Sequence, residues 1–385
     1  MKNFQLSQFD KLTLIGDLNN LISDKLLILN TNPTYETIFM SSLFSPLIIS
    51  ILISFLLGYP AMLFAKSIKL IDMPDSAPHK THKRPTPLAG GILIVLTLAI
   101  MTFFFPQWLN SEVGVVLTGT LVVFLFGLWD DLKGLSAGPK LIGQLIAAII
   151  LISSGVQVYF ATIWSNAGYI SPFVAQVLNI VITLFWLFGI TNAMNMIDSM
   201  DGIVAGLGII ATACFMGATK VADQPVLTFW SAVLLGIGVG LYFWNNLAGK
   251  FFLGDSGAQT IGFLLASFGI IYNPLNRNPE SSWVVPIMLL GIPIFDTTLV
   301  VLSRFRRGQP IGSGRRDHTY HRLITLGIAP RYAVLIAHLT ALIISGLAFL
   351  TLYLPSWLAL IVFFSSILCG LALLFWLERK PTLDD

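Results

Sequence analysis

The sequence predicts an all-α fold, a polytopic helical membrane protein of about eleven transmembrane helices, and three observations predict it. The first is composition: 55% of the 385 residues are hydrophobic and 11% are charged, against about 25% charged in soluble domains, so no water-facing surface can be built from this chain. The second is the recurrence of apolar stretches long enough to cross a bilayer, at 41–65, 88–105, 112–129, 140–154, 172–191, 203–217, 226–244, 257–272, 283–302, 332–352 and 357–377. The third is charge asymmetry. With loops alternating across the bilayer, seventeen of the twenty-two Lys and Arg fall on one side, which the positive-inside rule makes cytoplasmic.

The elements follow in order. Residues 1–40 lack the ordered basic, apolar and cleavage regions of a signal peptide. Phe4, Leu14, Leu18, Leu21, Ile22 and Leu29 recur at loosely helical spacing, which predicts an extracytoplasmic or interfacial segment. Residues 41–377 then form one transmembrane catalytic domain, and 378–385 a short cytoplasmic tail. Segment 154–171 alternates briefly between Gly155 and Gly168, which predicts a small external hairpin. Cys214 and Cys369 both lie within spans and are packing residues, not a disulfide or thiolate site. A net charge of +3 without an aromatic-interleaved basic tract excludes nucleic acid as a partner class.

Five polar clusters share the basic side. The first runs from Asp72 through His79, Lys80, His82, Lys83 and Arg84 to Gly90-Gly91, a proline-punctuated loop able to present cations and backbone donors to phosphate. The second is Asp130-Asp131, followed by Lys133 and Lys140; adjacent carboxylates at a helix end imply a metal, a basic partner or a shared proton. In the third, Asn192, Asn195, Asp198 and Asp201 recur every third residue, which predicts one row of converging oxygens suited to a hard cation or to nucleotide recognition.

The fourth cluster is Phe252-Leu253-Gly254-Asp255-Ser256-Gly257, where glycines allow close backbone approach and a helix start follows. The fifth is the loop 303–331, whose seven arginines exceed what orientation requires and suit a polyanion. His318 and His321 there fit phosphate contact better than zinc, for which a third ligand is lacking. Asp296 in the preceding span needs a cation or a place in the site. Carboxylates for magnesium, cations for a pyrophosphate and a membrane setting together describe phosphoryl transfer at the cytoplasmic face, with a lipid as plausible acceptor.

At these residues the chain resembles the polyprenyl-phosphate N-acetylhexosamine-1-phosphate transferases, in motif order and spacing from about residue 66 to about 331. The resemblance implies transfer of a sugar phosphate from a UDP-N-acetylhexosamine to polyprenyl (undecaprenyl) phosphate in the plasma membrane. It implies magnesium, with manganese as a substitute, near Asn195 and Asp255. It implies that Asp130 or Asp131 assists the attacking lipid phosphate, with Asp198, His318 and His321 as further catalytic groups. Asp201 and Phe252 match positions near the uridine, and Lys140, Arg315 and Arg316 would hold pyrophosphate and sugar.

One departure matters. The commoner late signature is an acid, two residues and then His-x-His-His, whereas this chain reads Asp317-His318-Thr319-Tyr320-His321. That argues against the branch acting on a muramyl pentapeptide and for transferases priming O-antigen (lipopolysaccharide), teichoic acid or related envelope glycans. A homodimer is left open. Two other classes compete: a CDP-alcohol phosphotransferase, imitated by Asp198, Asp201 and Gly202 but lacking Arg at Gly206, and a secondary transporter, whose charges should lie at midplane and repeat between halves.

Overall fold

The computed structural model describes residues 33–74, 84–274, 276–277, 279–310, 312 and 316–382, with side chains from residue 44 except at 137, 279 and 280. By backbone contact the chain divides into Met1–Ser45 and Pro46–Asp385. Of the first unit only helical backbone from residue 33 is described, so the interfacial segment expected over 1–40 lies almost wholly outside the described residues. The second unit carries everything that follows.

Its helices are α1 (membrane-length part Phe44–Ser67), α2 (Gly90–Phe104), α3 (Ser111–Lys133), α4 (Ala137–Ser153), α5 (Pro172–Ile197), α6 (Ile203–Val221), α7 (Pro225–Tyr242, continued by a π turn over Phe243–Leu247), α8 (Gly254–Ile271), α9 (Val284–Leu289), α10 (Gly291–Arg306), α11 (Thr319–Thr325), α12 (Pro330–Thr351) and α13 (Ser356–Glu378). A helix answers each apolar stretch, the ninth in two pieces. Pro293 has no amide to donate and its ring opposes the carbonyl four residues back, so helix α9 stops at Leu289 and α10 restarts at Gly291. Seven helices, α1, α3, α5, α6, α7 with its π turn, α12 and α13, are long and apolar enough to cross a membrane, while α2 and α4 are shorter apolar helices. The helical membrane class is as the sequence predicts.

Helix α8 is the core element, packed against α3, α5 and α2 and buried almost continuously from Ser256 to Phe268. Its start is reached closely only because the neighbours lack side chains there. A Cβ on Gly127 would sit 2.6 Å from the Ser256 Cα, and one on Gly90 2.7 Å from the Leu253 Cα. Large apolar side chains such as Leu56, Phe185 and Leu368 point outward instead, as a lipid-facing surface requires.

Among the described residues, strand is confined to β1 (Ile71–Asp72) and β2 (Thr86–Pro87), an antiparallel pair with Ile71 opposite Pro87. The hairpin expected over 154–171 does not form. Its amides find partners on α5 instead: Val158 donates to the Thr183 hydroxyl (2.9 Å) and Ala161 to the Asn179 side-chain Oδ1 (2.8 Å), and residues Thr162–Asn166 close into a helical turn. Neither cysteine is paired; Cys214 is half-buried and Cys369 exposed on α13.

Candidate active site

The second, third and fourth clusters come together at the start of α8, where the described end of the first also reaches, and the fifth docks beside the third. The described end of the first, β2 with Leu88, pairs with Phe252: the Phe252 amide donates to the Pro87 carbonyl (2.9 Å), and Leu88 and Phe252 form a parallel bridge. His79, Lys80, His82 and Lys83 lie outside the described residues, as does Arg315.

The two adjacent acids of α3 divide their work. Asp131 accepts from the backbone amides of Asp255 (2.8 Å) and Ser256 (3.0 Å), so it caps α8 from a different helix. Asp130, 5% exposed, accepts from the Leu135 amide (2.6 Å) through Oδ1 and pairs with Lys140 through Oδ2. Lys140 also donates to Asp255 Oδ2 (2.6 Å), so one ammonium bridges the acids of α3 and α8. Helix α3 can end there because Gly134 takes a left-handed turn (φ 65°) and returns the chain to α4.

The third cluster reaches the same carboxylate, since the Asn195 side chain lies close enough to Asp255 to interact with it. The expected single row of four oxygens is not kept. Helix α5 ends at Ile197 and Gly202 turns left-handed (φ 79°), so Asp198 falls at the helix cap and Asp201 in an exposed turn. Asn192 points into the bundle and bonds Gln144. Asp198 is held well above the usual carboxylate range, first by burial and then by Asp255, Asp201 and Asp131.

The late loop docks onto this turn through Tyr320, whose hydroxyl donates to the Ile197 carbonyl (3.2 Å) and meets the Ser199 hydroxyl. The Tyr320 ring stacks parallel on His318 at 5.6 Å and lies 4.6 Å from His321. Asp296 receives His318 Nδ1 (2.7 Å) and the Thr319 amide (2.7 Å), which gives that intramembrane acid the partner it requires. His321 is buried, its Nδ1 has no hydrogen-bond partner among the described residues, and burial, then the neighbouring His318, bring its pKa down to about 4.

The arginine excess is in part structural. Arg304 forks onto Asp317 (2.9 and 2.8 Å), which holds that carboxyl below its usual range against the opposing effect of burial. Arg306 pairs with Glu378 (2.8 Å). Arg322, fully buried, donates to the carbonyls of Asp317, Leu377, Glu378 and Lys380 and to the Ser303 hydroxyl. That leaves Arg307, Arg316 and Arg331 as the described arginines of this loop outside those three anchors.

Sequence reasoning passed over Gln144 and Gln259, both buried and bonded to each other (3.1 Å) beneath Lys140 and Asp255. The available signal was their spacing, four residues after each charged residue.

Fold and site thus define a polytopic helical membrane protein with an acid-rich polar centre where helix ends meet. The sequence profile of glycosyl transferase family 4 matches residues 113–273. A Mycolicibacterium smegmatis protein named decaprenyl-phosphate N-acetylglucosaminephosphotransferase is 31% identical over 286 residues, 67% of this chain and 70% of the relative. A Bacillus subtilis protein named probable undecaprenyl-phosphate N-acetylglucosaminyl 1-phosphate transferase is 28% identical over 79% of this chain and 83% of its own length. The Escherichia coli protein named undecaprenyl-phosphate alpha-N-acetylglucosaminyl 1-phosphate transferase is 26% identical over 78% and 82%. The chain belongs to glycosyl transferase family 4, the polyprenyl-phosphate N-acetylhexosamine-1-phosphate transferases.

Proposed function

We propose that this enzyme transfers N-acetylglucosamine-1-phosphate from UDP-N-acetylglucosamine to a polyprenyl phosphate, at the cytoplasmic face of the plasma membrane, as the priming step of an envelope glycan. A lipid phosphate oxygen forms a bond to the sugar-linked phosphorus, the bond from that phosphorus to the bridging oxygen breaks, and UMP leaves carrying that oxygen. One observation carries the reading: the Lys140 ammonium bridges Asp130 and Asp255, and Asn195 and Asp198 bear on the same Asp255 carboxylate.

The donor set suits magnesium. Among the described residues no three His, Cys, Asp or Glu side chains form a protein-only metal cage. Magnesium ordinarily takes one or two carboxylates and completes its octahedron with water and substrate phosphate. Asp255, its side chain about a third exposed, and Asn195 supply hard oxygens, and the raised Asp198 marks a pocket with too much negative charge for its cations. When bound, the metal neutralises charge on the transferring phosphoryl group. Lys140 orients Asp130 and Asp255 and offers a cation to the lipid phosphate, while Asp131 keeps α8 in place. Phe252 and Asp201 border the centre where the uridine is assigned, and Arg316 with neutral His321 faces the pyrophosphate of the UDP-sugar. Eleven crossings, with α2, α4, α8 and the α9–α10 pair completing the seven longest, keep all five clusters on one face. The test is purified protein with magnesium, polyprenyl phosphate and a panel of UDP-sugars. UMP and a lipid-linked N-acetylglucosamine should form, and product from a CDP-alcohol alone would overturn the reading.

A further inference from the structure

Beneath the charged centre lies a layer of amides with the same three-helix layout. Gln144 follows Lys140 by four residues on α4, Gln259 follows Asp255 by four on α8, and Asn192 precedes Asn195 by three on α5. Residues so spaced lie one above the other on a helix face, so each amide sits one turn deeper than a residue of the site. The amides bond across the helices. Asn192 Nδ2 donates to Gln144 Oε1 (2.7 Å), and Gln144 Nε2 donates to Asn192 Oδ1 (3.2 Å) and to Gln259 Oε1 (3.1 Å). Asn192 also donates to the Phe188 carbonyl (2.8 Å).

This layer is a poor choice for stability. Gln144 and Gln259 are each 2% exposed, and Gln259 Nε2 has no partner among the described residues. A buried polar network that is incompletely satisfied is worse for folding than apolar packing of the same volume. Its value is geometric, because directional bonds fix the depth of three helices against one another where apolar contacts would let them slide. A sub-ångström slide of α4 against α8 would pull the Lys140 ammonium off one of its two carboxylates.

We infer that Gln144, Asn192 and Gln259 are positioning residues that set the helix register on which the Lys140–Asp255–Asn195 centre depends. The inference rests on the transferase reading above. It is tested on the purified full chain with UDP-N-acetylglucosamine, polyprenyl phosphate and magnesium, by comparing Gln144→Leu and Gln259→Leu with Gln157→Leu. Gln157, buried in the loop after α4, belongs to a second amide pair, with Gln176 of α5 (3.2 Å), remote from the charged centre. Loss of register predicts kcat lower by about tenfold in Gln144→Leu, with the KM for UDP-N-acetylglucosamine within about twofold of wild type, since misplacement of reacting groups costs rate before binding. Gln144→Leu/Gln259→Leu should lose little more than either single variant, because both remove one network. Gln157→Leu should keep wild-type kcat. Should Gln144→Leu fail to fold, Gln144→Met and Gln259→Leu carry the same comparison. Wild-type kcat in the network variants, a KM rise that accounts for the loss, or an equal loss in Gln157→Leu would overturn the inference. An inactive wild type would instead overturn the transferase reading beneath it.

Discussion

Asp131 holds the backbone of Asp255: its two oxygens take the amides of Asp255 and Ser256 at 2.8 and 3.0 Å, while the Asp255 side chain turns to Lys140. Two acids that look equivalent in sequence therefore have separate tasks, since Asp130 faces the ammonium and Asp131 faces a helix end. Asp131→Ala should cost about 1–2 kcal/mol, as loss of a helix cap does, read as a lower Tm. Asp131→Asn retains one acceptor and should keep measurable UMP release. Asp130→Asn should keep its Tm and lose turnover by at least about a hundredfold, because Lys140 loses half its anchorage next to the reacting phosphates. Equal behaviour of the two Asn variants would contradict the division.

Exchange of one phosphoanhydride for another leaves little driving force, so the lipid-linked product plus UMP should regenerate the UDP-sugar. Asp255→Asn should depress forward and reverse rates together by orders of magnitude, since it removes the anionic ligand of a hard cation. EDTA should do the same to wild type. Ser256→Ala should be near wild type in rate, because the Ser256 backbone amide, kept in the variant, is the group that donates to Asp131 (3.0 Å). Activity of Asp255→Asn in excess EDTA would exclude a magnesium centre.

The depressed His321 gives a pH signature. Its folded pKa of about 4 lies below the ordinary 6.5, so between those values the unfolded chain binds the proton and the folded one does not. Stability therefore rises with pH through that window and is lost as pH falls from about 6.5 toward 4. Wild type should lose Tm relative to His321→Gln over that interval, and above pH 7 the difference between them should be constant. A gap that stays constant from pH 7 down to 4 would show His321 to be freely protonated.

Arginines of one loop should fail in different ways. Arg322→Ala removes the Arg322 donor from the Glu378 and Lys380 carbonyls and one of several donors from that of Leu377, and should reduce the yield of folded protein, with little change in KM for whatever folds. Arg316→Ala should insert and fold normally and lose turnover, as removal of a cation beside developing negative charge does. Normal turnover in Arg316→Ala would relegate that arginine to topology.

Sidedness is checked by single cysteines in a background with Cys214 and Cys369 replaced by Ser. Labels at Gly308 and Ser136 should react from the cytoplasmic side and one at Asn276 from outside. Opposite reactivity of Gly308 and Ser136 would break the single-face arrangement.

Much of this was legible in the sequence. Length and apolarity located the helices because lipid forces backbone bonds inside each segment, and the polar clusters stood out because so few charges interrupt them. The interval of three from Asn192 to Asp201 misled, since it continued a helical row through a turn that Gly202 breaks. Nor does local sequence say which arginines of 303–331 are occupied: Arg304 finds Asp317 thirteen residues on, and Arg322 finds carbonyls more than fifty residues away. The hairpin reading of 154–171 failed similarly, because Asn179 and Thr183 on another helix supply its hydrogen bonds.

The grip of Arg322 on Leu377, Glu378 and Lys380 has a meaning for biosynthesis. Every acid of the centre emerges from the ribosome well before α13, and the segment bearing His318, Tyr320 and His321, already bonded to α5 and α10, gains its Arg322 anchor only once the end of α13 is in place. A nascent chain held in the membrane short of that helix carries the acidic centre but not its finished late loop. The late loop thus takes one of its anchors from a helix made more than fifty residues after it.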